Sequence, residues 1–207
     1  MLPHVRAWRK SAAHLPTTIK TWPEFEEYVR LLKKDDEFST VVMDTADEAY
    51  EMCFDFMCKE MGIEHPHDEN DFGKSWKRIK KRFGSGVTDL LNTGKGVIFT
   101  SHAREEETKT RAGRKFDRMQ PTLAGQAREI LESVVDNWFY YGYAKDKRAL
   151  TLRGDEHISA GTRLEDSYLY TDGTAIRRLT VEGSAEYAYE RLMAAFNNEI
   201  ERKKKGK

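Results

Sequence analysis

The 207-residue chain predicts an α/β fold in which a mainly parallel sheet is flanked by helices. Two short runs, Thr40-Val41-Val42-Met43 and Val97-Ile98-Phe99-Thr100, are apolar almost throughout and do not alternate, as expected of strands covered on both faces. Segments with apolar residues at helical spacing stand before, between and after them. Two of these segments open on a capping box, a Thr followed three residues later by Glu.

Residues 1–16 have little pattern of their own and are expected to be irregular. Residues 17–20 read as a short strand. Thr21 and Glu24 then cap a helix whose inner face is Trp22, Phe25, Val29 and Leu32. After the first buried strand, Thr45 and Glu48 cap a second helix, facing inward through Ala46, Ala49, Tyr50, Cys53 and Met57. Residues 62–73 read as a polar loop. Lys74 to Phe83 is a basic amphipathic helix, with Lys74, Lys77, Arg78 and Lys81 on one face and Trp76, Ile79 and Phe83 on another. Glycines at 84, 86, 94 and 96 lead into the second buried strand. The charged stretch from Ala103 to Gln120 reads as a long mobile loop or hairpin. Pro121 and Thr122 are expected to start a helix carrying Leu123, Ala127, Ile130, Leu131 and Val134. Asp136–Tyr143 and Arg148–Leu152 suit a hairpin, and residues 154–183 are irregular. Ser184 caps a last helix with Tyr189, Leu192, Met193, Phe196 and Ile200 on its apolar stripe.

Composition narrows the function classes. Lys plus Arg equals Asp plus Glu at 35 each, so any polyanionic partner must be read from local patches. No apolar run approaches the roughly 20 residues of a membrane span. The first 13 residues lack the apolar stretch of a secretory signal. Cys53 and Cys58 are five apart on one predicted helix, a poor spacing for a disulfide or metal site, so buried thiols in a reducing compartment are expected.

Asp44 stands at the carboxyl end of a strand and beside a helix N-terminus, where open α/β sheets place their ligands. An apolar strand followed by Asp has the form of a Walker B element, whose carboxylate holds Mg²⁺, usually through water, beside nucleotide phosphates. The same Asp could cap the following helix instead. Ser101-His102 ends the second strand, where a polar group can sense a γ-phosphate or simply hydrogen-bond at a strand end.

In their order, TVVMDTADEAYEMCFDFMCKEMGIEHP, GKSWKRIKKRF, GVIFTSHA, QPTLAGQAREILESVVDNWFYYGY and GTRLED resemble the RecA-like P-loop ATPases of bacteriophages. These are AAA-type nucleotide-binding proteins associated with single-strand annealing and recombination, and the similarity covers most of residues 17–200. It implies an incomplete RecA-like core over 17–201, ending in a β-hairpin and helix, with a basic tail over 202–207. It also implies ATP and Mg²⁺ as cofactors, single-stranded DNA as partner, and the cytoplasm of an infected or prophage-carrying bacterial cell as location. On the same resemblance, Asp44 is the Walker B carboxylate and Thr45 its neighbour in the Mg²⁺ shell. Ser101 and His102 lie at the sensor position, and Asp47 or Glu48 could polarise water, capping being the simpler role for Glu48.

One departure is large. Family members begin with a strand and a GxxxxGK[ST] loop that holds the phosphates, and no such pattern occurs in these residues. At Gly73-Lys74-Ser75 the first glycine position is Asp68, and Gly94-Lys95-Gly96 lacks the Ser or Thr. In P-loop folds the missing strand lies inside the sheet, next to the strand that ends in the sensor. Three arrangements remain: residue 1 is internal to a longer gene product, a second polypeptide or subunit supplies the strand, or the sheet has closed into a nucleotide-free module. The first is favoured by the lack of pattern in 1–16. As an isolated chain the protein is expected to be hydrolysis-deficient.

Two basic surfaces could meet nucleic acid. The stretch after His102 carries Lys109, Arg111, Arg114, Lys115 and Arg118 around Gly113, with Phe116 as a stacking side chain; this is the preferred single-stranded DNA contact. The basic helix face over 74–81 is the second. Arg148, Arg153 and Arg163 are candidate trans-acting fingers by analogy. His65 and His67, with Asp68 and Asp71, are more simply surface residues than a metal site, and Trp138, Phe139, Tyr140, Tyr141 and Tyr143 are strand core and interface. The alternatives to a nucleotide-binding protein are a non-enzymatic DNA-binding or assembly module and, less favoured, a nuclease built on Asp44.

Overall fold

The computed structural model describes residues 4–9, 14–68 and 70–202. Two strands form at the start of the chain, β1 (His4–Arg9), where irregular structure was expected, and β2 (His14–Thr18), which begins and ends earlier than the short strand expected over 17–20; they pair antiparallel. Thr21 Oγ1 accepts from the Glu24 amide and starts α1 (Trp22–Leu32), whose buried residues are the expected Trp22, Phe25, Val29 and Leu32. The first apolar run is the middle of β3 (Phe38–Asp44). Thr45 Oγ1 accepts from the Glu48 amide and starts α2 (Ala46–Met61), which Gly62 ends in the left-handed conformation at φ 68°. Cys53 and Cys58 are buried free thiols, as expected.

The basic helix, α3, runs from Lys74 to Leu91, eight residues beyond its expected end at Phe83. Gly84 and Gly86 therefore lie inside it. Gly86 is where α3 meets α1: a Cβ there would stand 2.5 Å from Trp22 Cζ2. Only a glycine allows that approach, and the gain in contact outweighs its cost of about 1 kcal/mol inside a helix. The Trp22 and Phe83 rings lie 5.9 Å apart, and Tyr50 meets Phe83 edge-on at 5.2 Å, so α1, α2 and α3 share one aromatic core.

The second apolar run is β4 (Gly96–Phe99), which pairs parallel with β3. The sheet order is β2-β1-β3-β4, with β1 antiparallel to β3. This corrects the expected mainly parallel sheet, since β3–β4 is its parallel pair and the N-terminal hairpin fills the other side. It also corrects the expected double coverage. Val41 and Met43 are buried, while Thr40, Val42 and Asp44 alternate with them half-exposed, and Ile98 is 50% exposed. The connection from β3 to β4 runs through α2 and α3, which pack on each other and so cover one face of the sheet.

The charged stretch is a hairpin, β5 (Ala103–Lys109) and β6 (Lys115–Pro121), turning at Gly113 with φ 84°. Pro121 thus ends a strand, and the next helix, α4 (Gly125–Val134), starts later than expected. Its Ala127 and Leu131 are buried and its Gln126 side chain accepts from Tyr50 Oη.

The remaining elements are β7 (Asn137–Trp138), β8 (Tyr140–Ala144), β9 (Lys147–Thr151), β10 (Gly161–Thr162), β11 (Arg178–Thr180) and α5 (Ala185–Phe196). The expected hairpin is β8–β9, and β11 joins it in a three-stranded sheet. Its core is Leu152, Tyr168, Ile176, Leu179, Val181 and Ala195. Ser184 caps α5 as expected, but the helix packs through Ala188, Leu192 and Ala195, leaving Tyr189 65% exposed. Of the expected stripe, Leu192 and Ile200 pack against this core and Phe196 meets Tyr168 edge-on at 5.7 Å, whereas Tyr189 points away and Ala188 and Ala195 join the packing face.

The single expected core over 17–201 is instead two units. One holds the residues up to 103 together with 121–133; the other holds 104–120 and the residues from 134 onward. Of the basic tail, Arg202 is described, 3.8 Å from Asp172, and 203–207 lie outside the described residues.

Candidate functional site

The carboxyl ends of β3 and β4 gather most of the predicted site. Parallel pairing in register, Met43 opposite Phe99, brings Asp44 beside Thr100. The Thr100 amide donates to the Met43 carbonyl at 3.0 Å, and its Oγ1 donates to Asp44 Oδ1 at 2.7 Å. The Ala46 amide donates to the Thr100 carbonyl at 2.8 Å, tying the start of α2 to β4. The Asp44–Thr45 peptide is cis.

Thr45 does not sit loose beside Asp44, because its Oγ1 serves as the cap of α2. Glu48, the third helical residue, supplies the backbone amide for that cap. Asp47 is the residue that organises the second strand end. Its Oδ1 accepts from Thr122 Oγ1 at 2.5 Å and from Ser101 Oγ at 3.0 Å, while Oδ2 is buried without a hydrogen-bond partner. A buried carboxylate oxygen without a partner is rare and costly. The His102 carbonyl accepts from the Thr122 amide at 2.8 Å, and its side chain is exposed.

The structure therefore brings Asp44, Thr45, Glu48, Ser101 and His102 together. It adds Thr100 and Thr122, and it raises Asp47 from a weighed alternative to the centre of the network. Thr100 reads in sequence as one more β-branched strand residue, and Thr122 as a helix start. Their pairing with acids 56 and 75 residues away leaves no local signal. Nearby, burial first, then the negative charge of Glu51, pushes the Tyr50 phenol up to about 12. Burial likewise pushes the Cys53 thiol up to about 12, against a smaller opposing effect of Arg82.

For ATP and Mg²⁺ the residues fit in part. A single carboxylate fixed at a strand end is what a Mg²⁺ ion needs from a protein when phosphates and water complete its shell. Among the described residues Gly73-Lys74-Ser75 offers no phosphate cradle: it opens α3 after a loop, not after a strand, and Asp71 already occupies the amides of Gly73, Lys74 and Ser75. The residues thus fit the metal and not the triphosphate.

The predicted DNA-binding hairpin belongs to the other unit. Lys115 pairs with Glu107 at 2.9 Å, Arg114 pairs with Glu156, and Arg118 Nε is buried without a partner. Lys109 and Arg111 stay exposed. Of the finger candidates, Arg148 stands opposite Tyr143 in the β8–β9 pair, Arg153 lies against the Ser167 carbonyl at 3.4 Å, and the Arg163 amide bonds the Asp136 carbonyl. His65 and His67 stack on each other and meet Trp76 edge-on. Among the described residues no group of three His, Cys, Asp or Glu side chains converges on a metal position.

A family model described as an AAA domain matches residues 7–164, three quarters of the chain, and the chain belongs to that family. The chain is also similar to the SPbeta prophage-derived uncharacterized protein YorG of Bacillus subtilis (strain 168), with 26% identity over 94 residues. That match covers 43% of this chain and 29% of the relative's length. No solved structure matches. The protein is thus a member of an AAA-domain family with a mixed α/β fold, and no helix among its described residues is long and apolar enough to cross a membrane.

Proposed function

We propose that this chain is the Walker B half of a RecA-like ATP-binding protein serving phage DNA recombination or repair of the single-strand annealing type. The observation that carries the reading is the Thr100–Asp44 hydrogen bond, which fixes a carboxylate at the ligand-binding end of the one parallel strand pair in the four-stranded sheet. Asp44 would hold Mg²⁺, Asp47 and Ser101 would form the polar wall beside it, and His102 would lie on the side from which a second segment brings the phosphates. The Gly-rich loop comes from another polypeptide segment or a second subunit, docked along the free edge of β4, the outermost strand of its sheet. A sheet edge with unpaired amides and carbonyls is a template for such addition.

The test is titration of a fluorescent ATP analogue with Mg²⁺ into the chain and into Asp44→Asn. Binding that depends on Asp44 supports the reading, and robust ATP turnover by the isolated chain would refute the shared-site part of it. A second reading is favoured by the missing phosphate loop: a non-enzymatic DNA-binding or assembly module derived from the same fold. It expects single-strand affinity indifferent to ATP and to Asp44→Asn.

A further inference from the structure

The outer face of α3 is the most strongly charged surface that the nucleotide reading leaves unused. From Lys74 to Thr88 the helix carries six cations and no carboxylate. Two are neutralised: Lys80 by Glu129, and Arg82 by Glu26 at 2.7 Å. The remaining four, Lys74, Lys77, Arg78 and Lys81, are exposed, and among the described residues none has an ion-pair partner. They fall at i, i+3, i+4 and i+7, so they form one row about 10 Å long. Like charges at these spacings repel and weaken a helix. Folding does not favour this arrangement, whereas a polyanion would.

Phe72 stands just before this helix and is 94% exposed, the most exposed large apolar side chain described. Its φ is 56°, a conformation that costs a bulky residue free energy. Asp71 holds the backbone there: Oδ1 accepts from the Gly73 and Lys74 amides, and Oδ2 from the Ser75 amide and hydroxyl. The ring is therefore kept in solvent beside the cations by a fixed turn.

We infer that Phe72 with Lys74, Lys77, Arg78 and Lys81 forms a binding surface for single-stranded nucleic acid, the cations tracking phosphates and the ring stacking on a base. The inference rests on the DNA-partner reading above and moves its surface from the β5–β6 hairpin to α3. The hairpin is the weaker site because two of its five basic residues are tied to Glu107 and Glu156. A single strand fits better than a lipid surface, because membrane binding by an amphipathic helix needs a broad apolar face. This row offers one aromatic ring amid charge.

The test is fluorescence anisotropy of a labelled oligo-dT with the full chain, across a salt series. Four versions are compared with wild type: Lys77→Glu/Arg78→Glu, its milder form Lys77→Gln/Arg78→Gln, Phe72→Ala, and Lys109→Glu/Arg111→Glu in the hairpin. Circular dichroism checks that each is folded. The α3 charge variants are expected to lose at least tenfold in affinity and to flatten the salt dependence by about 1.4 in log–log slope, two phosphate contacts at about 0.7 each. Phe72→Ala is expected to lose about tenfold with the slope unchanged, and the hairpin variant to stay within twofold. Loss in the hairpin variant with α3 variants unchanged overturns this inference and leaves the DNA reading standing. No binding by wild type overturns both. Tighter binding to phosphatidylserine vesicles than to oligo-dT, abolished by the same α3 substitutions, overturns it in favour of a lipid surface.

Discussion

Thr100 Oγ1 and Asp44 Oδ1 lie 2.7 Å apart across the parallel pair β4 and β3, so the residue ending one strand orients the acid ending the next. Thr100→Val keeps the β-branched shape and removes the donor. A hydrogen bond to a charged group is worth about 1.5–3 kcal/mol, and this half-exposed pair should fall at or below the lower end. We expect a loss of about 1 kcal/mol in urea denaturation. Asp44→Asn retains an acceptor for Thr100 and should cost less stability while abolishing Mg²⁺-dependent nucleotide binding. Equal losses of stability in the two variants would argue that the pair is only structural.

Gly86 and Gly84 lie two residues apart in α3 and should respond oppositely to alanine. A Cβ at 86 meets Trp22 Cζ2 at 2.5 Å, and overpacking of that kind costs typically about 1–3 kcal/mol. A Cβ at 84 meets Ile130 Cδ1 at 3.6 Å, an ordinary contact, so the gain in helix propensity of up to about 1 kcal/mol should dominate. Denaturant midpoints for Gly86→Ala and Gly84→Ala, shifted down and up respectively, check this.

Alkaline pH should destabilise the core before the surface. Both the Tyr50 phenol and the Cys53 thiol are held protonated in the fold, each pushed up to about 12. The unfolded chain releases these protons at lower pH, so the stability they contribute is complete below about pH 8.5 and is lost as pH rises toward 12. Tyr50→Phe and Cys53→Ala should each flatten the fall in denaturant midpoint between pH 9 and about 11. The same burial predicts that a thiol reagent at neutral pH labels Cys53 and Cys58 only after unfolding.

Acid should loosen the start of α3. The Ser75 hydroxyl, followed by the backbone amides of Ser75, Gly73 and Lys74, holds the Asp71 carboxyl below its ordinary value. A depressed carboxyl contributes stability above its unfolded value, near 4, and loses it as pH falls through the lower folded value. Protection of the Gly73, Lys74 and Ser75 amides, measured against their intrinsic exchange rate at each pH, should therefore fall at low pH, and Asp71→Ala should show that loss of protection already at pH 7.

Much of the local structure was determined by the sequence alone. Capping boxes at Thr21 and Thr45, the helical spacing of Trp22, Phe25, Val29 and Leu32, and the two apolar runs place α1, α2, β3 and β4 because each signal acts within a few residues. The position of Asp44 at a strand end follows from the same local rules. Tertiary structure decided what depends on distant neighbours. It set the extension of α3 through Gly84 and Gly86, which Trp22 permits from another helix, and the antiparallel entry of β1 beside β3. It turned Tyr189 of α5 outward and brought Ala188 and Ala195 beside Leu192 onto the core around Tyr168 and Ile176. It joined Asp47 to Thr122, 75 residues away, and bound Lys80 and Arg82 of α3 to Glu129 and Glu26 while leaving the helix's other four cations without an ion-pair partner among the described residues. The physical reason is the same throughout. Propensity and capping are short-range, whereas which hydrogen-bond partner or which void a residue meets is set only when the chain closes on itself.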